Sequence, residues 1–262
     1  MQRTQLFKGY VPTKNKKCLI PFKGKQDSEL QTLEQVRGFP EYAGILGNDV
    51  ILIDVDDKGQ SEKMLQIVKD LKLKCRVYKT SKGMHFLFIN DKVETNKIKC
   101  TLACGLMRID IKIGTKNSYE VLKYDGKERA VLYDSGEYEP LPKWLTPIKS
   151  SVDFSNMETG DGRNQKLFNY ILTLQANDFT KEESKECIKI INKYILLDPL
   201  DEKELDTILR DDAFQKPVFF NGKQFLFDKF ARYLISNNHI VRINGQLHIY
   251  RDGLYVPGQL EI

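Results

Sequence analysis

The sequence predicts an α+β protein: a strand-rich body with one interleaved helix, followed by a helical stretch. Three observations predict it. Short apolar runs bounded by Gly, Asp and Ser recur between residues 44 and 133. One of them, Met107–Ile113, alternates along its length. Met107, Ile109, Ile111 and Ile113 face one way, and Arg108, Asp110 and Lys112 the other. Between the strands, Met64, Ile67, Val68 and Leu71 stand at i, i+3, i+4 and i+7, the period of an amphipathic helix.

Taken in order, Gly44-Ile-Leu-Gly leads into a strand over Val50–Asp56. The helix follows, then a strand near Cys75–Lys79, a turn at Ser81-Lys-Gly and a strand over Met84–Ile89. Two more strands are expected around Tyr119–Lys123 and Ala130–Tyr133, and Pro140, Pro142 and Pro147 around Trp144 close the body. Residues 160–213 read as helices. Phe168, Ile171 and Leu172 pattern the first, and Thr180-Lys-Glu-Glu183 is a capping box opening the second. Asp201 and Glu204 open a third, carrying Leu205, Ile208 and Leu209. A helix with Phe227, Phe230, Ala231 and Leu234 then precedes His239–Ile243, and Asn244-Gly245 is a two-residue hairpin turn before Gln246–Tyr250. Helix plus hairpin resembles part of a winged-helix unit. The expected units are residues 1–150, 151–215 and 216–262, and the chain is expected either to be a fragment or to lack a larger C-terminal partner domain.

The 262 residues carry a net charge of +5, unevenly placed. Residues 1–26 hold Arg3, Lys8, Lys14, Lys16, Lys17, Lys23 and Lys25 with no acid, while residues 178–212 hold eleven acids against six bases. A basic N-terminal body suits a polyanionic partner, and equally a solvated lysine-rich surface. Five scattered cysteines, with Cys100 and Cys104 lacking a second pair at zinc spacing, read as reduced thiols of a cytoplasmic protein. Neither a signal peptide nor a membrane-spanning run is present.

The chemistry concentrates in three places. Ile51-Leu-Ile-Asp-Val-Asp56 is an apolar run ending in two acids two residues apart, so Asp54 and Asp56 share a face of the strand. Paired carboxylates repel unless a cation neutralises them, and Mg²⁺ takes one or two carboxylates plus substrate phosphates. A strand that simply reaches solvent would look the same. Next, Thr80-Ser-Lys-Gly-Met-His85 runs a Gly-containing turn into a strand. Its backbone N–H groups, the Ser81 hydroxyl, Lys82 and Gly83 suit a phosphate, and His85 can donate to a triphosphate oxygen or sit as a satisfied core histidine. Third, Asp110 is the only acid on its strand, flanked by Arg108 and Lys112. It is a third metal carboxylate or the partner of an ion pair. Three carboxylates on neighbouring strands can hold two metal ions about 3.5–4 Å apart for in-line nucleotidyl transfer, with Lys112, Arg108 and His85 neutralising the triphosphate.

The order D-x-D, S-K-G-x-H, h-D-h-K over residues 1–145 resembles the archaeo-eukaryotic primase superfamily, in its phage and plasmid primase-polymerase branch. The resemblance implies an RRM-like catalytic fold and synthesis or extension of primers on single-stranded DNA from NTPs or dNTPs. It makes Asp54, Asp56 and Asp110 the ligands of two Mg²⁺ or Mn²⁺ ions, and Ser81 and His85 the nucleotide-binding motif. It also implies a helical primase module around Gly160-Asp-Gly-Arg-Asn164 and Asp198-Pro-Leu200. The last forty residues would be the start of a linker to a helicase, with that helicase as partner, in a bacterial, archaeal or phage-infected cytoplasm. No Walker A pattern occurs in the chain. Two other readings stand beside this one. A non-catalytic module that binds single-stranded DNA and recruits a helicase would need no acid triad. A rolling-circle nicking enzyme wants an H-x-H metal pair and a nucleophilic Tyr, and His85, His239 and His248 form no such motif.

Overall fold

In the computed structural model, which describes residues 5–155, 157–158, 160–214, 218–221 and 223–258, β1 (Phe7–Lys14) and β2 (Lys17–Cys18) make the first hairpin. A single helical turn, α1 (Leu33–Val36), precedes β3 (Tyr42–Leu46) and β4 (Val50–Val55). The helix α2 (Lys58–Asp70) follows at once, because the Asp57 carboxylate accepts from the Gln60 amide at 2.8 Å and caps it. Met64, Ile67 and Val68 are buried as the periodicity predicts; Leu71 is its half-exposed C-cap. Then come β5 (Arg76–Lys79), β6 (Met84–Ile89), β7 (Lys97–Leu102), β8 (Ile109–Ile113), β9 (Tyr119–Tyr124), β10 (Lys127–Glu128), β11 (Val131–Asp134) and β12 (Pro147–Ile148).

These strands form two antiparallel sheets, one ordered β11-β5-β6-β4-β8-β7-β12 and the other β10-β9-β3-β1-β2. The first is an α+β sheet with β4 at its centre. On one face of β4, Ile51, Ile53 and Val55 join a core with Met64, Ile67 and Val68 of α2. On the other face, Val50 and Leu52 pack with Leu46, Tyr42, Phe7 and Leu122 of the second sheet. Burial on both faces explains why Val50–Val55 reads as a continuous apolar run rather than an alternating one.

One glycine sets the geometry at the end of β4. A Cβ on Gly83 would lie 1.9 Å from the Val55 carbonyl oxygen, so only glycine lets the 80–83 turn press against the strand beside Asp54 and Asp56.

The helices α3 (Arg163–Ala176), α4 (Lys181–Ile190) and α5 (Glu202–Ile208) follow. Both predicted capping boxes form, at Thr180 with Glu183 and at Asp201 with Glu204. Gly162, in the left-handed region, stands at the N-cap of α3 with no side-chain bond. Arg163 pairs with the Asp198 carboxylate at 3.0 Å, and Asn164 donates to Glu204 at 3.3 Å, tying α3 to the start of α5.

Leu167, Tyr170, Ile171, Leu174, Cys187 and Ile188 belong to the same buried cluster as Ile51 and Ile53. Tyr170 donates to the Ala103 carbonyl at 2.8 Å and Lys63 to the Ile195 carbonyl at 3.2 Å. One core therefore runs across the boundary expected at residue 150. The boundary expected at 215 lies outside the described residues.

Further on, β13 (Phe220–Asn221) pairs with β14 (Gln224–Phe225), and α6 (Phe227–Asn237) leads into β15 (Ile240–Ile243), β16 (Gln246–Arg251) and β17 (Leu254–Pro257). Asn244 and Gly245 both take positive φ at the β15–β16 turn, as the two-residue hairpin requires, and Asp252-Gly253 repeats it between β16 and β17. Among the described residues no helix is long and apolar enough to cross a membrane.

The shared core makes a prediction. A fragment ending at residue 150 would expose the apolar face that α3 and α4 cover, each buried aliphatic side chain being worth about 1.5–3 kcal/mol. It should melt well below the intact chain or aggregate, read by circular dichroism and light scattering. An unchanged melting temperature would show that the helices are a separate unit.

Candidate active site

Cross-strand register builds the site. Asp54, next to last in β4, is directly opposite His85 on β6 and Asp110 on β8, so the three side chains form a row on one face of the sheet. Lys112, two residues along from Asp110, shares that face. It is the face whose other half, Leu52 and Leu87, is packed under the second sheet. Where the apolar packing ends, the two sheets part around a cavity of about 500 Å³, lined by Asp54, Asp56, Ser81, Lys82, His85 and Lys112 among others.

Asp54 is engaged on both sides. Lys112 Nζ donates to its Oδ2 at 2.8 Å. His85 Nε2 stands 2.9 Å from its Oδ1, an ion-pair distance but off the direction of a hydrogen bond, so Oδ1 is a buried oxygen that accepts no hydrogen bond. Burial alone would raise the Asp54 carboxyl; His85 and Lys112 outweigh it and hold the group well below the usual carboxylate range. Asp56 lies just past the end of β4 at the exposed rim, 3.8 Å from Lys82 Nζ.

His85 also reaches the second sheet. Its Nδ1 is 2.6 Å from Glu120 Oε2 on β9, and Arg129 donates to the other Glu120 oxygen at 3.0 Å. Glu120 is 1% exposed, so a buried ion network joins the two sheets. Burial opposes a charge on His85, yet Glu120 and Asp54 raise its pKa above the ordinary value. Both ring nitrogens therefore face carboxylates, and the satisfied-histidine and ligand-facing readings of His85 describe the same side chain.

Three predicted roles change. Arg108 stands before β8 with φ +58°, which breaks the alternation and takes it off the face of Asp110 and Lys112; it does not line the cavity. Asp110 pairs with neither basic neighbour. Its Oδ1 accepts from the Lys99 amide at 2.8 Å, where the β7–β8 register shifts between Lys97 and Cys100, and it stands opposite Asp54 without lining the cavity. The amides of Lys82 and Gly83 point to the Thr80 hydroxyl at 3.3 and 2.9 Å, so this turn closes on itself rather than offering those two donors to a phosphate.

Sequence reasoning missed Glu120, Arg129, Lys16 and Lys116, all of which line the cavity. A signal existed for Glu120 alone: it shares the inward face of its strand with Leu122, and an acid on an apolar face needs a partner. Phe22 is buried, edge-on to Tyr119 at 6.1 Å, while Tyr124 is exposed with Lys16 Nζ 5.2 Å above its ring. Cys100 donates to the Ile109 carbonyl and Cys104 is fully buried, its thiol pushed up to about 12; all five cysteines are free.

Among the described residues no group of three His, Cys, Asp or Glu side chains is arranged to hold a metal ion by itself. The arrangement fits a hard cation that takes one or two protein carboxylates and completes its shell with water or phosphate. The orphaned Asp54 Oδ1 is the acceptor such an ion would satisfy. No protein-family profile and no curated protein matches the chain.

The buried network predicts a pH signature. His85 holds its proton more firmly folded than unfolded, so its stabilisation is complete below about pH 6.5 and is lost as pH rises through the higher folded value. Unfolding in urea with EDTA should show stability falling above neutrality, by at most about 1.4 kcal/mol per pH unit for one proton. Glu120→Gln leaves Arg129 without its counter-charge and His85 with Asp54 alone. It should cost about 3 kcal/mol and flatten that slope. Wild-type stability and slope in the variant would contradict the network.

Proposed function

We propose that the chain is a metal-dependent nucleotidyltransferase of the primase-polymerase kind, adding NTPs or dNTPs on a single-stranded DNA template. The observation that carries the reading is the cross-strand row Asp110–Asp54–His85, of which Asp54 and His85, together with Asp56, line a cavity whose walls also bring five lysine and arginine side chains. Acids beside cations in one cavity suit a metal-bound triphosphate better than either partner suits alone. The two-sheet body is the counterpart of the RRM-like catalytic fold that the motifs imply. α3 to α5 correspond to the helical primase module, and α6 with β15–β17 to a winged-helix-like linker towards a helicase.

On this reading Asp54 and Asp56 bind the cations, with Asp110 beside Asp54 as the third carboxylate. Two Mg²⁺ or Mn²⁺ ions there would lower the pKa of the attacking 3′-hydroxyl and neutralise the departing pyrophosphate. Lys112, Lys82 and Arg129 reach the phosphate oxygens, and Ser81 offers its hydroxyl at the rim. His85, held by Glu120, presents Nε2 beside Asp54, where it donates to the triphosphate. The attacking oxygen bonds the α-phosphorus as the bond to the β-phosphate oxygen breaks, and pyrophosphate leaves.

A second reading, a module that binds single-stranded DNA and recruits a helicase without catalysis, is favoured by one observation. Asp54 and Asp56 each already meet a lysine, as acids in a purely structural cluster would. A primer-synthesis and extension assay with Mn²⁺ or Mg²⁺ separates the two. The wild type should add nucleotides, and Asp54→Ala or Asp110→Ala should lose at least about 10³-fold, equivalent to about 4 kcal/mol of barrier. Activity that survives either substitution overturns the assignment. DNA binding with no nucleotide addition by the wild type supports the second reading.

A further inference from the structure

The two lysines nearest the acids point to how the site fills, and the inference rests on the nucleotidyltransferase reading. We propose that Lys112, seconded by Lys82, occupies the place of the divalent cations on Asp54 and Asp56, so that metal and triphosphate bind as a mutually dependent pair and neither binds well alone.

The geometry is specific. Lys112 Nζ sits 2.8 Å from Asp54 Oδ2, and Lys82 Nζ 3.8 Å from Asp56 Oδ2. A divalent ion on either carboxylate brings like charge against an ammonium within ion-pair distance, so the lysine must leave as the ion arrives. Both can leave. The Lys112 side chain is 38% exposed and that of Lys82 73%, and each opens on the cavity. Lysine suits this exchange because its ammonium is a single point charge on a flexible stem, whereas arginine would bind in a fixed fork.

The charge of the walls points the same way. His85 apart, three carboxylates (Asp54, Asp56, Glu120) face five fixed cations: Lys16, Lys82, Lys112, Lys116 and Arg129. A bare metal ion enters a net positive cavity and displaces a lysine with no new partner. A triphosphate alone finds Lys112 committed to Asp54. Together they let each lysine exchange a carboxylate for a phosphate oxygen while the metal takes the carboxylate. By linkage, the factor by which the nucleotide tightens the metal equals the factor by which the metal tightens the nucleotide.

The test reads binding rather than turnover. Mn²⁺ affinity of the wild type, measured by electron paramagnetic resonance of free Mn²⁺, should rise at least about tenfold when a non-hydrolysable nucleoside triphosphate is present. Lys112→Met should bind Mn²⁺ alone several-fold more tightly and the triphosphate in EDTA more weakly, with the coupling cut to about twofold. Lys112→Gln, which can still donate to Asp54 and so protects the fold, should move both affinities in the same directions. Lys116→Met removes a cavity lysine that forms no ion pair among the described residues. It should weaken the triphosphate and tighten Mn²⁺ alone by less than either Lys112 variant does, because it lowers the wall charge without freeing a carboxylate. The inference is overturned if both Lys112 variants leave metal-only affinity at the wild-type value, or if Lys116→Met raises it as much. Asp54-dependent nucleotide addition alongside such a result would leave the functional reading standing and remove this inference alone.

Discussion

The register of β4 between β6 and β8 is the constraint on which everything else depends. β4 is buried on both faces, and its side chains alternate between the helix-backed core and the space between the sheets. A slip of one residue would turn Asp54 into the helix-backed core and bring Ile51 and Ile53 out to the space between the sheets. Burying an unpaired carboxylate among aliphatic groups costs far more than an ordinary packing defect. The apolar residues of β4 therefore place the acids as firmly as any polar contact does. Gly83 extends the same control to the neighbouring turn, because its contact with Val55 is a backbone contact that no side-chain rotation can relax.

The second sheet answers what the first leaves unsatisfied. His85 projects from the face that Leu87 shares, towards the second sheet, where the apolar packing gives way to the cavity. Glu120 and Arg129 supply the charge that lets it stay there. Such buried networks contribute little net stability, since desolvation offsets most of the attraction, but they fix orientation strongly. With Nδ1 held by Glu120, the His85 ring has one direction left for Nε2, which is towards Asp54. The ion network is thus better read as a device for aiming a side chain than as a staple between sheets.

Local patterning carried most of what was legible in the sequence. β6, α2, the capping boxes of α4 and α5 and the Asn244-Gly245 turn follow from periodicity and turn chemistry within a few residues. Asp54, His85 and Lys112 could be placed together because they lie on adjacent strands of one sheet. Reading failed where geometry departs from the ideal element. Arg108 looks like part of an alternating strand, but a left-handed residue there takes it out of the row. The Ser81–Gly83 turn looks like a phosphate cradle, but Thr80 is its own cap. β1 was not anticipated at all, since Gly9 and Pro12 interrupt its pattern although both fit a strand whose partner is antiparallel β3. Glu120 and Arg129 meet His85 across 35 and 44 residues of sequence, and no local rule reports a contact made between two sheets. The prolines around Trp144 suggested that the body ends near residue 150, yet one buried core joins the sheet and α2 to the helices that follow.

The charge asymmetry of the chain resolves into two different surfaces. In the acidic helical stretch much of the charge is internally answered. Asp211 holds both Lys181 and Lys185, and Asp198 holds Arg163. The lysines of the N-terminal hairpin and the loop after it are otherwise: Lys14, Lys17, Lys23 and Lys25 are exposed and form no ion pair among the described residues. Lys16, at the tip of that hairpin, lines the cavity itself, its backbone carbonyl accepting from Tyr119 at 3.1 Å. Unanswered positive charge therefore lies on the hairpin and the loop after it, and one lysine of that hairpin, Lys16, reaches the cavity. Fields of this kind draw polyanions in and orient them before any specific contact is made. On the reading proposed above, the polyanion drawn towards this hairpin would be the template strand.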